Sequence, residues 1–187
     1  MQVLSNNVLF KFVDDVTESG DFKPKNQDGV IQLVGSTDGS ARQPREAIAI
    51  YVGPDCKTIK AGDHFVIPAL RWTLSFKYEG ARLWKTDESE IAAVISGAEV
   101  AAINDFVVFM RDKPKPVTSS MGIIIVHQHE ESQRSGKVLS IGADVDGDAL
   151  QVGNSIVFDS PTFNDDFSYK GLVWSFVREK EVLFVKE

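Results

Sequence analysis

The residues with the clearest potential for chemistry are three aspartates that alternate along one short stretch. Asp144, Asp146 and Asp148 have the carboxylate spacing that begins an EF-hand calcium loop. The twelfth position of such a loop requires a glutamate, but Ser155 stands there. The stretch is therefore interpreted as a solvated turn.

A second candidate metal site contains two histidines. His127 and His129 alternate as two residues on one strand face would, and Glu130 and Glu131 follow them. Polar residues beside a loop explain the same pattern, and this interpretation is favoured. No Gly-rich nucleotide loop with lysine is evident, and no serine or cysteine has a base at a characteristic spacing. We predict neither a metal nor a cofactor, and no enzymatic activity.

Two short apolar segments could instead bind a partner. The tripeptides Ile31-Gln32-Leu33 and Ile123-Ile124-Ile125 each follow a glycine and a polar stretch rich in residues that break secondary structure. An isolated apolar triplet is more often a buried strand, which would need neighbours on both faces. The polar surroundings and the second copy favour exposed binding loops.

The elements around each tripeptide also occur twice. A short β-branched and aromatic strand precedes each polar stretch, and a strand ending in Val52-Gly53 or Ile141-Gly142 follows the tripeptide. The next turns are Ala61-Gly62-Asp63 and Val152-Gly153-Asn154. A repeat of this length predicts two copies of one small domain.

The predicted fold is all-β, because short strands alternate with turn signals about every ten residues, as in a small barrel or sandwich. The predicted domains are residues 1–95 and 105–187, joined by a linker at 96–104. Residues 96–102 have a helix-compatible composition, so the linker has room for a helical turn. Trp72, Trp84 and Trp174 are expected in cores or subunit contacts.

The composition excludes several classes of function. A formal net charge of −7 argues against binding nucleic acid through its phosphates. No apolar run approaches the length that crosses a bilayer. The single Cys56 cannot form an internal disulfide, and the first residues lack the features of a signal peptide. A reducing cytoplasm is the expected location.

The order of these motifs resembles the GroES-like co-chaperonins, and the resemblance covers nearly the whole chain in two copies. That family has a first strand, a mobile loop with an apolar tripeptide after glycine, a strand ending in Val-Gly and a Val-Gly-Asp turn. The resemblance implies two tandem GroES-like small β-barrels, each with a long mobile loop. It assigns chaperonin binding to Ile31, Gln32, Leu33, Ile123, Ile124 and Ile125.

Some features are closer to one part of that family, and others depart from it. Val16-Thr17-Glu18-Ser19-Gly20 and Val52-Gly53-Pro54-Asp55 are similar to the co-chaperonins of some large tailed bacteriophages, which implies a host bacterial cytoplasm. The roof hairpin that follows the Val-Gly turn has almost no room, since only residues 54–60 and 143–151 are available. Gln32 replaces a central apolar residue, which predicts weaker binding by the first loop.

The resemblance implies that the chain caps a GroEL-type chaperonin in its ATP- or ADP-bound state. The cap would be a homo-oligomeric ring that encloses an unfolded protein substrate, with a viral capsid protein as the natural candidate for a phage. The alternative belongs to another class: a virion or scaffold protein that uses the barrels for self-association and does not bind a chaperonin.

Overall fold

A computed structural model describes residues 3–13, 44–69, 71–73, 75–112, 117–118, 124–125, 134–159 and 166–186. The described residues form fifteen β-strands and two short 3-10 turns at Glu88–Glu90 and Glu179–Glu181, with no α-helix. All paired strands are antiparallel. The predicted all-β class is confirmed.

The first half forms a seven-stranded sheet in the order β4-β5-β1-β2-β3-β6-β7. Its strands are β1 (Asn7–Phe12), β2 (Arg45–Val52), β3 (His64–Ile67), β4 (Phe76–Tyr78), β5 (Ala81–Asp87), β6 (Ala93–Ser96) and β7 (Glu99–Ala102). The β1 residues Val8, Phe10 and Phe12 alternate toward the core, as strand geometry requires. Phe10 meets the rings of Phe65 and Trp84 in that core, at centroid distances of 5.4 and 6.5 Å.

The second half forms a six-stranded sheet in the order β13-β14-β8-β11-β12-β15. Its strands are β8 (Phe106–Arg111), β11 (Ser135–Ile141), β12 (Ser155–Phe158), β13 (Asp166–Tyr169), β14 (Leu172–Arg178) and β15 (Val182–Lys186). A separate ribbon pairs β9 (Val117–Thr118) with β10 (Ile124–Ile125). Phe109, Val138 and Phe158 are buried at the centre of this half.

The two sheets repeat one pattern of strand pairing. Strands β1 to β6 pair with one another in the same order as β8 and β11 to β15, so each strand has a counterpart. The ladder between the first two strands of each unit carries an irregularity at the same place, after Leu9 in one unit and beside Leu139 in the other. We call these halves the first unit and the second unit.

The turn before the third strand is also identical in the two units. Gly62 and Gly153 have φ values of +92° and +94°, which favour glycine. The next residue, Asp63 or Asn154, accepts a hydrogen bond on its side chain from the backbone N–H three residues earlier, at 2.8 or 2.7 Å. The predicted Gly turns are confirmed at both places.

The Val-Gly turns bring two backbone segments into close contact. A Cβ atom on Gly53 would lie 2.0 Å from the carbonyl oxygen of Ser5, and one on Gly142 would lie 2.1 Å from that of Asn104. Ser5 and Asn104 themselves have positive φ values of 57° and 55°. No side chain fits at either glycine without moving the backbone.

We therefore expect Gly53→Ala to lower the free energy of unfolding by about 3 kcal/mol, because the added methyl forces a backbone shift in a packed region. Gly147→Ala is the matched control, since a Cβ there meets nothing within 4 Å. Its effect should be within about 0.5 kcal/mol. Urea unfolding of the two variants measures both values, and equal effects would contradict the close contact at Gly53.

The structure revises two expectations from the sequence, the closed barrels and the helical turn of the linker, and agrees with a third. Neither sheet closes on itself within the described residues, so the units are open sheets and not closed barrels. Segments 54–60 and 143–151 are described completely and form turns without a hairpin, as their lengths predicted. The linker segment contains no helical turn: Gly97 makes a tight turn at φ +62°, and β7 then pairs with β6.

Strand β7 places the two units side by side, and we call their contact the internal seam. Ala92, Ala93 and Ile95 of the first unit are buried there against Phe106 and Phe176 of the second. Trp174 is partly buried against the same cluster, and Trp84 lies in the first core with Trp72 packed at its edge. The tryptophans thus occupy cores and a contact between units, as predicted.

Arg178 is the main polar group of the internal seam. Its guanidinium donates hydrogen bonds to Asp105 at 2.6 Å, to Glu90 of the first unit at 2.9 Å, and to the Ser89 carbonyl at 3.1 Å. It also lies 4.4 Å from the centroid of the Phe106 ring. Burial alone would lower the pKa of Arg178, but the hydrogen bonds and charges of Asp105 and Glu90 raise it above its ordinary value. The seam is therefore held by a fixed positive charge between two carboxylates.

Candidate functional site

Both segments that carry the tripeptides leave the sheets from hydrogen-bonded bases at equivalent places. The first connects β1 to β2, and its base is closed by a bond from the Val13 N–H to the Glu46 carbonyl at 3.1 Å. The second connects β8 to β11 and is closed by a bond from the Asp112 N–H to the Ser135 carbonyl at 3.1 Å. In each unit a backbone hydrogen bond thus joins the two strand ends between which the tripeptide segment runs.

The first base is held by aromatic and polar contacts. Phe12, on the last position of β1, meets Trp72 and Trp84 edge to face at 5.0 and 4.9 Å. On the neighbouring strands, His64 Nδ1 lies 2.8 Å from Glu46 Oε1. These contacts fix the strand ends from which the segment departs.

The second base contains a charged network. Arg111, on the last position of β8, donates to Asp166 at 2.8 Å, and the Ser175 hydroxyl donates to the same carboxylate oxygen at 2.6 Å. The Arg111 guanidinium lies 5.1 Å from the centroid of the Phe158 ring. A Cβ on Gly136 would lie 2.5 Å from the Met110 carbonyl oxygen, so only glycine allows β11 to begin this close to β8.

The proposed binding residues are only partly within the described residues. Ile124 and Ile125 form β10 and pair with Thr118 and Val117. This ribbon is bonded to neither large sheet among the described residues. Ile31, Gln32, Leu33 and Ile123 lie outside the described residues. The assignment of all six residues to chaperonin binding stays a prediction.

The aspartate-rich stretch forms an exposed turn. The Asp144 N–H donates to the Asn104 carbonyl at 3.0 Å, and the Asp146 N–H donates to the Glu179 carboxylate at 3.0 Å. Ser155 lies in β12. Within the described part of the chain no group of three candidate ligands is placed to hold a metal ion, and His127 and His129 lie outside it.

Sequence reasoning missed Glu88, which is buried and folds the 54–60 segment onto the first unit. Its carboxylate accepts hydrogen bonds from the backbone N–H groups of Lys57, Thr58 and Ile59, each at 2.8 Å. Burial, followed by the charge of Glu88, raises the pKa of the Cys56 thiol. The thiol is therefore protonated at neutral pH, which disfavours a nucleophilic role. The sequence signal that could have found it is the recurrence of a glutamate at equivalent positions: Glu88 and Glu179 are the first residues of the two 3-10 turns.

A comparison with known protein families finds a match in the second half of the chain. Residues 99–186 match the family model of Cpn10, the chaperonin 10 Kd subunit. The match covers just under half of the chain and begins at Glu99, the first residue of β7. It supports a co-chaperonin role in general. For the family, that role implies a GroEL-type chaperonin as partner and an oligomeric ring of subunits. No curated protein matches the chain.

The residues that match the family model begin with β7, yet β7 pairs with β6 and completes the sheet of the first unit. The first unit has the same strand order, the same turns and an equivalent hydrogen bond between the strand ends, so the structure describes two units of one strand order in tandem. Among the described residues there is no helix long and apolar enough to span a bilayer.

Proposed function

We propose that this chain is a co-chaperonin that caps a GroEL-type ring through its two loop tripeptides. The observation that carries the proposal is the repeated loop base, found in a unit that matches the chaperonin 10 family and again in its structural counterpart. The binding residues are Ile31, Gln32 and Leu33 in one loop and Ile123, Ile124 and Ile125 in the other. The protein has no catalytic role of its own in this proposal.

For a single loop, the free energy gained by burying its side chains would nearly cancel the cost of ordering the loop. Burying two large aliphatic side chains stabilises a complex by about 3–6 kcal/mol, while ordering a disordered segment costs about 2–5 kcal/mol. Several loops on one assembly make each later contact intramolecular, so avidity supplies the affinity. Oligomerisation is therefore part of the proposed mechanism.

The same near-cancellation lets the chaperonin control the cap. A small change in the groove that receives the loop changes the sign of the binding free energy, so the nucleotide state of the partner can drive association and release. The cap then needs no nucleotide of its own. The proposed site of action is a bacterial cytoplasm, and for a phage-encoded protein the enclosed substrate is a capsid protein.

The two loops can be followed separately by proteolysis with and without a GroEL-type ring and ADP. Trypsin reports on the first loop at Lys25, and Glu-C reports on the second at Glu130 and Glu131, because proline follows Lys113 and Lys115 and blocks trypsin there. We expect early cleavage at both places in the free protein and protection when the ring is added. Full cleavage of both loops on a saturating ring would contradict the proposal and favour the virion or scaffold alternative.

A further inference from the structure

The two bases are closed by different chemistry, although their strands correspond residue by residue. The ladder to the next strand shifts register just before Phe10 in β1 and just before Phe109 in β8, which aligns these two phenylalanines. The last residues of the two strands, two positions later, are Phe12 and Arg111. A guanidinium in the second unit therefore takes the place of an aromatic ring in the first, at the strand end from which each tripeptide segment departs.

In the second unit this guanidinium joins three neighbouring strands. Arg111 of β8 donates from Nε to Asp166 Oδ1 of β13 at 2.8 Å, and the Ser175 hydroxyl of β14, the strand between them, donates to the same oxygen at 2.6 Å. Ser175 is fully buried. The side chains of Arg111 and Asp166 keep 21% and 33% of their surface exposed, so dissolved ions can still screen the pair. We call these three residues the ionic clasp.

The ionic clasp also covers one end of the second core. The Arg111 guanidinium carbon lies 5.8 Å from the centroid of the Phe109 ring and 5.1 Å from that of Phe158. These two rings meet each other at 4.6 Å inside the core. A cation over aromatic rings gains an attraction that a neutral side chain lacks. The charge of Arg111 therefore holds the end of β8 both to β13 and to the core beneath it.

The first base is closed mainly by aromatic packing. Phe12 meets Trp72 and Trp84 edge to face at 5.0 and 4.9 Å. Trp84 takes the place of Ser175, since each stands opposite the aligned phenylalanine of its unit. The described histidine–glutamate pair of this base joins β2 to β3 and leaves β1 out. Contacts between aromatic rings carry no net charge that salt could screen.

We propose that the ionic clasp positions the second tripeptide segment and makes its engagement sensitive to ionic strength, in contrast to the segment on the aromatic first base. The segment leaves β8 directly after Arg111, so a loosened clasp lets the bond between the Asp112 N–H and the Ser135 carbonyl open more often. A segment with a looser base loses more freedom when it binds, which lowers its affinity. Arg111 and Asp166 are then positioning residues, which act through the strand end. The step to chaperonin engagement rests on the proposed function, whereas the control of the base does not.

The first experiment measures hydrogen exchange of the Asp112 amide in the full chain without a partner. Arg111→Met keeps an unbranched side chain and removes the charge, so it should lower the protection factor of this amide about tenfold. Raising the salt concentration from about 0.05 M to about 0.5 M should lower that factor about two- to threefold in the natural chain, and not in Arg111→Met. Arg111→Lys keeps the charge but loses the planar fork, so its protection should lie between the two.

Controls come from the first unit. The Val13 amide, which closes the first base, should keep its protection in every variant and at every salt concentration. Arg82→Met is the matched variant, because Arg82 donates a hydrogen bond at 2.6 Å to Ser75, which lies in the first unit. It should leave the Asp112 amide unchanged. Unchanged protection of Asp112 in Arg111→Met would overturn the inference. Equal salt dependence of the two amides in the natural chain would do the same, even if Arg111→Met failed to fold.

The second experiment separates positioning from general stability by measuring binding to a GroEL-type ring with ADP. With the first loop silenced by Ile31→Ser and Leu33→Ser, Arg111→Met should weaken binding about three- to tenfold. With the second loop silenced by Ile123→Ser and Ile125→Ser, Arg111→Met should change nothing. Equal weakening in both backgrounds would contradict a positioning role. A natural chain that binds no ring would contradict the proposed function and with it the engagement step, while the exchange result still decides whether the clasp controls the base.

Discussion

Serine at Ile31, Leu33, Ile123 and Ile125 together should reduce binding to a GroEL-type ring by roughly 100-fold or more. Each loop loses its two large aliphatic anchors, worth about 1.5–3 kcal/mol each, and the deficit is multiplied because binding depends on many loops acting together. Isothermal titration or sedimentation with the ring and ADP measures the loss. The strands of the two large sheets contain none of the four residues, so the far-ultraviolet spectrum and the mass of the assembly should stay as they are.

The two loops can be ranked with paired variants. Ile123→Ser with Ile125→Ser should weaken binding more than Ile31→Ser with Leu33→Ser, because Gln32 makes the first tripeptide less apolar from the start. Leu172→Ser with Val173→Ser, an exposed aliphatic pair on β14, is the control for loss of apolar surface in general. Binding that survives the fourfold variant at the level of this control would contradict the loop assignment.

Alanine at Glu88 should lower the free energy of unfolding by about 3–5 kcal/mol. The carboxylate is buried and accepts three backbone hydrogen bonds at 2.8 Å, and its removal leaves those donors in the 57–59 segment without their partner. Glu88→Gln should lie between alanine and the natural residue, because one side-chain oxygen remains as an acceptor. Urea unfolding gives all three values.

Glu179→Ala is the matched control, since Glu179 occupies the same position in the second unit. It is only half-buried and accepts a single described hydrogen bond, from the Asp146 N–H at 3.0 Å. We expect a loss of about 0.5–1.5 kcal/mol there. Equal losses at Glu88 and Glu179 would show that the number of backbone bonds does not decide the effect.

The repeat could be predicted from the sequence because the residues that define it are restricted by backbone geometry. Gly62 and Gly153 adopt positive φ, and Gly53 and Gly142 leave no space for a side chain. The same restriction applies in both units, so the same residue type appears twice. The tripeptides were found through their place before these glycines in both halves of the sequence. Their proposed contacts involve a partner, so local geometry does not specify them.

Strand β7 could not be predicted in the same way. Residues 99–102 contain alanines and a glutamate, which local propensity assigns to helix more readily than to strand. They form a strand because β6 offers an edge and because Val100 and Ala102 pack into the internal seam. That tertiary contact overrides the propensity, and it also shows why a segment resembling a linker joins the units so tightly.

The most direct measurement is co-sedimentation of the natural chain with a bacterial GroEL-type ring, without nucleotide, with ADP and with ATP. The proposed function predicts that the chain sediments with the ring when nucleotide is present and stays in the supernatant without it, with both loops protected in the pellet. A folded and assembled chain that remains in the supernatant in every nucleotide state would contradict the capping function.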